Sequence, residues 1–290
     1  MRTPVNRLAW MGFMFVCALA LAPAAFAAPV AMVTDLQGKA AQTGEGRTRE
    51  LSILADLDAG AQVQLQAGAT MVVLYMESGS EFVFKGPASM VFGASQPEVT
   101  SGAKAEKRLP ALGKGGRDIR IKPVGLVQGA MVMRGLRAGA RLQLMAPRGP
   151  AVLESAPEFR WQAPQSGLNY AFELNDDAGS TVYQTQTAET VVALPANIKL
   201  RESTQYSWEV STRLADGSRL SNIGKFSLAS PDLRAQVAAA RPESGAPFSS
   251  RVIYAAWLDQ MDLKDEARKY WQSLAGERAD EPRLKSMSEQ

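Results

Sequence analysis

The chain has 290 residues, 46% of them hydrophobic and 21% charged, with a formal net charge of +3. That is an ordinary globular balance, long enough for about two domains. There is no histidine and one cysteine, Cys17, which excludes the usual zinc ligand sets, a Ser-His-Asp triad and a Cys-His dyad; no metal and no cofactor is expected.

The N-terminus reads as a Sec signal peptide over residues 1–27. Arg2 and Arg7 form a positive region, Leu8 to Ala22 is apolar, and Ala25-Phe26-Ala27 is a small-x-small cleavage site. The apolar run is short for a membrane span. Cleavage before Ala28 removes Cys17 together with Arg2 and Arg7, leaving 30 basic against 29 acidic residues, a net of +1. The expected location is the periplasm, with no disulfide and no membrane span after processing.

Residues 30–95 alternate short apolar runs with glycine turns. A hairpin is expected about Gly38, turns at Gly60 and Gly68, and three strands within 72–92, separated at Gly79 and at Gly86-Pro87. Period-two alternation with regular turns predicts a sandwich or barrel-like unit. Residues 93–118, rich in Gly, Ala, Lys and Pro, read as a long loop. Strands are expected again at 119–123, 129–135 and 141–147.

A second β pattern begins near Val152. Phe159 and Trp161 stand at strand spacing, and 168–186 reads as two strands about a polar turn at 176–180. Another strand precedes Pro195, and Asp216-Gly217 marks a further hairpin. So many short strands in about eighty residues suggest an immunoglobulin-like sandwich. Tyr206, Trp208 and Val210 share one strand face. Tyr206 is placed to form a tyrosine corner and Trp208 to fill the core where antibody domains hold a disulfide. The other reading of these aromatics is a ligand-binding surface.

From Pro231 the period becomes 3.6. Residues 231–242 form one short helix with proline at each end. A second helix opens after Pro247, with Ser249 as a candidate N-cap. A third carries an apolar stripe of Leu263, Ala267, Tyr270, Trp271 and Leu274, with Asp262 as a candidate cap. The last eight residues are polar and expected to fray.

Residues 30–95 resemble the FecR domain. The resemblance is carried by Val33 to Gly38, the turn ending at Gly60, the strand "TMVVLY", the Gly79-Ser80 turn and "FVFKGPASMVF". Residues 152–230 resemble the fibronectin type III-like domain found behind such modules in bacterial envelope proteins, through "APEFRW", "YAFEL" and "YSWEV" followed by Asp216-Gly217. Residues 248–284 resemble a single tetratricopeptide helix pair, through "DEARKYWQSL" and Pro282. The familiar FecR-domain proteins carry a cytoplasmic sigma-factor-binding segment and a membrane helix. Here a signal peptide stands instead, so the resemblance implies a periplasmic, partner-facing β module.

The expected map is a signal peptide at 1–27, a FecR-like β domain at 28–147, a fibronectin type III-like β-sandwich at 152–230 and a helical region at 231–290 with a pair about 248–284. The fold class is mainly β, ending in a helical hairpin. Ser101 and Lys104 fit Ser-x-x-Lys, but the companion motifs of penicillin-recognising enzymes are missing. Gly113-Lys114 lacks the rest of a phosphate loop. Asp56 with Asp58, and Asp176 with Asp177, read as turn carboxylates rather than calcium ligands.

The densest charge is the basic loop 103–122. Lys104, Lys107, Arg108, Lys114, Arg117, Arg120 and Lys122 stand there against Glu106 and Asp118, a local charge of +5. It reads either as a solvated linker or as a contact for anionic lipid headgroups or an acidic partner. Tyr270 and Trp271 are candidate partner anchors if the helical stripe is not covered within the molecule. The functional expectation is a non-enzymatic binding or scaffold protein of the cell envelope. Its partner would be an envelope protein or glycan such as peptidoglycan, and not nucleic acid. A sensor subunit relaying through a membrane protein, or a carboxylate-dependent glycan-active enzyme, are the alternatives.

Overall fold

The structure is a computed structural model that describes residues 29–44, 47–123, 141–202 and 204–289. The signal peptide expected at 1–27, the strand expected at 129–135 and the side chain of Arg117 lie outside the described residues. The fold is mainly β, with antiparallel sheets followed by a helical segment.

Among the described residues the first unit is built of β1 (Pro29–Gln37), β2 (Ala40–Gly44), β3 (Arg47–Glu50), β4 (Asp56–Asp58), β5 (Gln62–Leu65), β6 (Thr70–Tyr75), β7 (Glu81–Lys85), β8 (Ala88–Phe92), β9 (Pro97–Ser101) and β10 (Glu106–Arg108). They form two antiparallel sheets, ordered β10-β7-β6-β1-β4 and β3-β2-β5-β8-β9. The turn at Gly79 joins β6 and β7 within one sheet. Gly38 does not make the expected hairpin. β1 and β2 belong to different sheets, and Gly38, Gly60, Gly68 and Gly86-Pro87 are all corners where the chain changes sheet. The ring of Phe92 in one sheet meets Tyr75 and Phe84 of the other.

β6 is buried from Met71 to Tyr75 without alternation. A strand reads so when both sheet faces are covered. One face packs on the second sheet. On the other side α2 (Phe248–Gln260), from the far end of the chain, packs against β1.

The second unit holds β11 (Gln143–Ala146), β12 (Ala151–Val152), β13 (Glu158–Gln162), β14 (Tyr170–Asn175), β15 (Thr181–Thr187), β16 (Val191–Ala193), β17 (Gln205–Arg213) and β18 (Arg219–Leu228). Its sheets run β11-β13-β16 and β12-β18-β17-β14-β15. β11, which the sequence places in the unit ending at 147, instead sets Leu144 opposite Trp161 of β13, and Leu142 enters the second core. That core is aromatic: Phe159 touches Phe172, Trp208 and Phe226. Tyr206, Trp208 and Val210 are buried in it and form no exposed face. The Arg201 N–H donates to Tyr206 Oη at 2.7 Å, five residues back along the chain.

The helices are α1 (Pro231–Ala240), α2, α3 (Lys264–Glu277) and α4 (Pro282–Glu289). Ser230 caps α1, its hydroxyl accepting from the Leu233 N–H. Ser249 is no cap: it lies buried inside α2, and Pro247 precedes the helix without a side-chain cap. Asp262 is no cap either. It takes φ +60 in the α2–α3 turn, and Leu263 stands at the N-cap of α3. The C-terminus is the helix α4, held because Leu284 is fully buried. Among the described residues no helix is long and apolar enough to cross a membrane.

Residues 93–118 are not a loose loop. β9 pairs with β8 and β10 extends the first sheet beside β7. Beyond β10 the chain becomes a strap onto the helices. The Ala111 N–H donates to Ser250 Oγ at 2.9 Å, and the Gly113 N–H donates to the Ala240 carbonyl at 3.3 Å. A Cβ on Gly113 would stand 2.2 Å from the Ala239 carbonyl oxygen, so only glycine permits this approach. A short 3-10 turn follows at Lys114–Asp118. Residues 119–123 are not a strand. Ile119 and Ile121 are buried in the core that the first unit shares with the helices, without a strand neighbour.

Candidate binding cleft

A cleft of about 580 Å³ opens where β11, β12 and β13 of the second unit meet α3. The turn between β11 and β12 carries Pro147 and Pro150, and packs closely against the start of α3. A Cβ on Gly149 would stand 2.8 Å from the Asp262 carbonyl oxygen. Asp265 ties the two sides. Its carboxylate accepts from the Arg148 backbone N–H at 3.0 Å and from Arg268 at 3.0 Å, while Arg268 also donates to the Met145 carbonyl at 3.2 Å. These bonds draw on backbone and charged groups together, the stronger kind of polar contact.

The floor is apolar, formed by Met145, Pro147, Val152, Leu153 and Pro157, and the rim carries both signs of charge. Lys269 Nζ lies 2.6 Å from Glu266 and 3.7 Å from Glu154. Burial alone would lower the Lys269 pKa, but the Glu266 hydrogen bond and the charges of Glu266, Glu154 and Asp265 outweigh it and hold it above the usual lysine value. Across the cleft Arg160 pairs with Glu158 on the same strand. Each rim carboxylate therefore faces a cation. The arrangement suits recognition of a ligand bearing both charges and does not isolate an acid–base pair. Among the described residues no group of three or more potential metal-ligating side chains is placed to hold an ion.

No family model matches this sequence, and no curated protein matches it.

The basic residues singled out from the sequence, Arg117 aside, have different surroundings. Arg108 is turned into the body, donating to the fully buried Glu81 at 2.9 Å and to Ser249 at 3.2 Å. Lys107 is exposed on β10, its ammonium 5.8 Å from the Phe82 ring centre. Lys104, before β10, and Lys114, in the strap beyond it, are both exposed. Lys122 is exposed, and its backbone N–H and carbonyl both bond the Gln260 amide. Arg120 is exposed and donates to the carbonyl of Ile119. Trp271, a candidate anchor, is 1% exposed and donates to Asp259 at 2.7 Å. It is core and offers no surface to a partner. Tyr270 is half-buried, its ring edge-on to Tyr254 at 4.9 Å.

Sequence reading missed the cleft. Its charges come from 154–160 and 265–269, more than a hundred residues apart. Within each segment they look like ordinary solvated positions. Only the meeting of β13 with α3 assembles them.

Proposed function

We propose that the protein is a non-enzymatic binding or scaffold protein of the bacterial cell envelope, exported to the periplasm, that recognises a protein or glycan partner. The observation that carries this reading is the preformed cleft, with its apolar floor and its rim of paired charges between the second sandwich and α3. The glycan that fits such a rim is peptidoglycan, whose peptide stems carry carboxylate and ammonium groups close together. A FecR-like identity for the first unit accords with its short strands and glycine corners. A fibronectin-like identity for the second is supported by the Tyr206 bond to the Arg201 N–H, the arrangement of a tyrosine corner.

The test is co-sedimentation of the mature chain with purified peptidoglycan and calorimetric titration with soluble muropeptides. Binding is expected, and Arg160→Ala with Lys269→Ala should weaken it by about tenfold, the loss of roughly 1.4 kcal/mol. Soluble fragments released from the peptidoglycan would make the protein an enzyme. No binding to either form would remove peptidoglycan as the ligand.

A further inference from the structure

β15 ends the larger sheet of the second unit, and no strand pairs with its outer edge among the described residues. Natural edge strands are usually guarded by lysine, proline or a bulge. β15 reads Thr-Val-Tyr-Gln-Thr-Gln-Thr, with neither lysine nor proline. Its register with β14 slips once near Val182 and is then regular from Tyr183 to Thr187. Past that bulge, Tyr183 to Thr187 is an unguarded stretch of edge that offers backbone donors and acceptors to another extended chain.

The sequence about this edge is one-sided in charge, although Arg201 reaches in to pair with Asp176 at 3.0 Å. Residues 162–198 contain no Lys or Arg and four carboxylates, Glu173, Asp176, Asp177 and Glu189, in a chain whose net charge is +3. On the outer sheet face Glu173 stands directly opposite Glu209, with Gln184 beside it on β15. Like charges directly opposite each other destabilise a sheet. Arg219 reaches Glu209 at 3.5 Å. Glu173 accepts from Asn175 at 3.0 Å and Thr181 at 3.3 Å, and no cation of the described residues pairs with it. A depression of about 400 Å³ lies over this row, lined by Glu173, Gln184, Gln186, Glu209, Ser211 and Arg219.

We propose that β15 is a strand-addition site for an extended protein segment with Lys or Arg at alternate positions. The segment's backbone pairs with the outer edge of β15, and its alternate cations lie on the face of Gln184, toward Glu173 on β14. An added strand would stand two strand spacings, about 10 Å, from β14. A long cationic side chain and the glutamate span that gap jointly. A second copy of this chain is a poorer occupant, because antiparallel pairing of two β15 edges brings Asp176 and Asp177 of one copy toward Glu189 of the other. The chain's own basic strap is held elsewhere, by the bonds of Arg108 to Glu81 and of Lys122 to Gln260. This site is on a different face from the cleft and does not depend on it.

The test uses the full mature chain and a short synthetic peptide of alternating lysine and valine, followed by fluorescence anisotropy. Three further arms are a peptide with glutamate for lysine, a lysine peptide N-methylated at alternate amides, and the variant Gln184→Lys with Gln186→Lys. The lysine peptide should bind, the glutamate and N-methylated peptides should not, and the double variant should bind at least about tenfold more weakly, because it sets like charges together. Glu173→Gln should weaken binding without lowering the melting temperature, since it also relieves the repulsion from Glu209. Equal binding of the N-methylated peptide, equal binding of the glutamate peptide, or no binding of the lysine peptide would each overturn the proposal. So would concentration-dependent dimerisation abolished by the double variant, which would give the edge to a second copy.

Discussion

Glu81 is a carboxylate with no exposed surface, one oxygen bonded to Arg108 and the other without a hydrogen-bond partner. Removing one member of a buried pair strands the other charge. Arg108→Ala is therefore expected to cost about 3 kcal/mol, the low end for such pairs because Arg108 is itself partly solvated. Replacing Glu81 by Leu in the same chain should recover much of it, which chemical denaturation of the single and double variants would measure. Trp208→Ala should cost about 3–5 kcal/mol and Tyr206→Phe about 0.5–1.5 kcal/mol. A Trp208→Ala protein of unchanged stability would mean the ring is not core. The aromatic positions were legible because strand alternation projects straight onto burial. Arg108 was not, since its partners lie 27 and 141 residues away and Lys107 beside it makes it read as part of a solvated basic run.

At the level of elements, glycine positions located most turns of the first unit but not their role. A hairpin and a sheet-changing corner call for the same residue, and only pairing partners tell them apart. Residues 109–122 escaped for a related reason: glycine, proline and lysine mark a chain without its own strands, and that composition is silent on what the segment lies against. The alternation of Ile119 and Ile121 truly signalled burial, but burial in a core shared with helices. Gly113→Ala is expected to loosen the strap by pushing it off α1, read as a lower melting temperature together with faster amide exchange at Ala111 and Gly113. The helical stripe tests the same point from the other side. Ala267, Trp271 and Leu274 are all buried within the molecule. Expressing residues 28–230 alone should give a protein whose first unit loses its cooperative melting transition and binds a hydrophobic dye, while the second sandwich keeps its own core. An unchanged melting curve would return the helices to the role of a separate docking arm.

At the scale of the molecule, the described residues form two apolar cores, one within the second sandwich and one shared by the first sandwich and the helices. The sequence read correctly as mainly β with a helical end, but its order along the chain concealed that the last elements cover the first. Alkaline pH should open both cores together. Burial pushes the Tyr254 hydroxyl up to about 12 and also raises Tyr75, Tyr170 and Tyr270, which are spread over both cores. Native values above the unfolded tyrosine value, about 10, mean that this stability is complete below that pH. It is lost as pH rises through the native values. Phenolate absorbance should accordingly lag free tyrosine and then rise with the loss of circular dichroism. The pairing of chain ends also sets a schedule. Arg278 reaches back to Asp35, and α2 covers β1. At about 5–20 residues per second, the covering helix is synthesised roughly 10–40 s after the strand beneath it. The first sandwich emerges with one greasy face and nothing of its own to put on it until the helices follow, so the chain completes its first domain last.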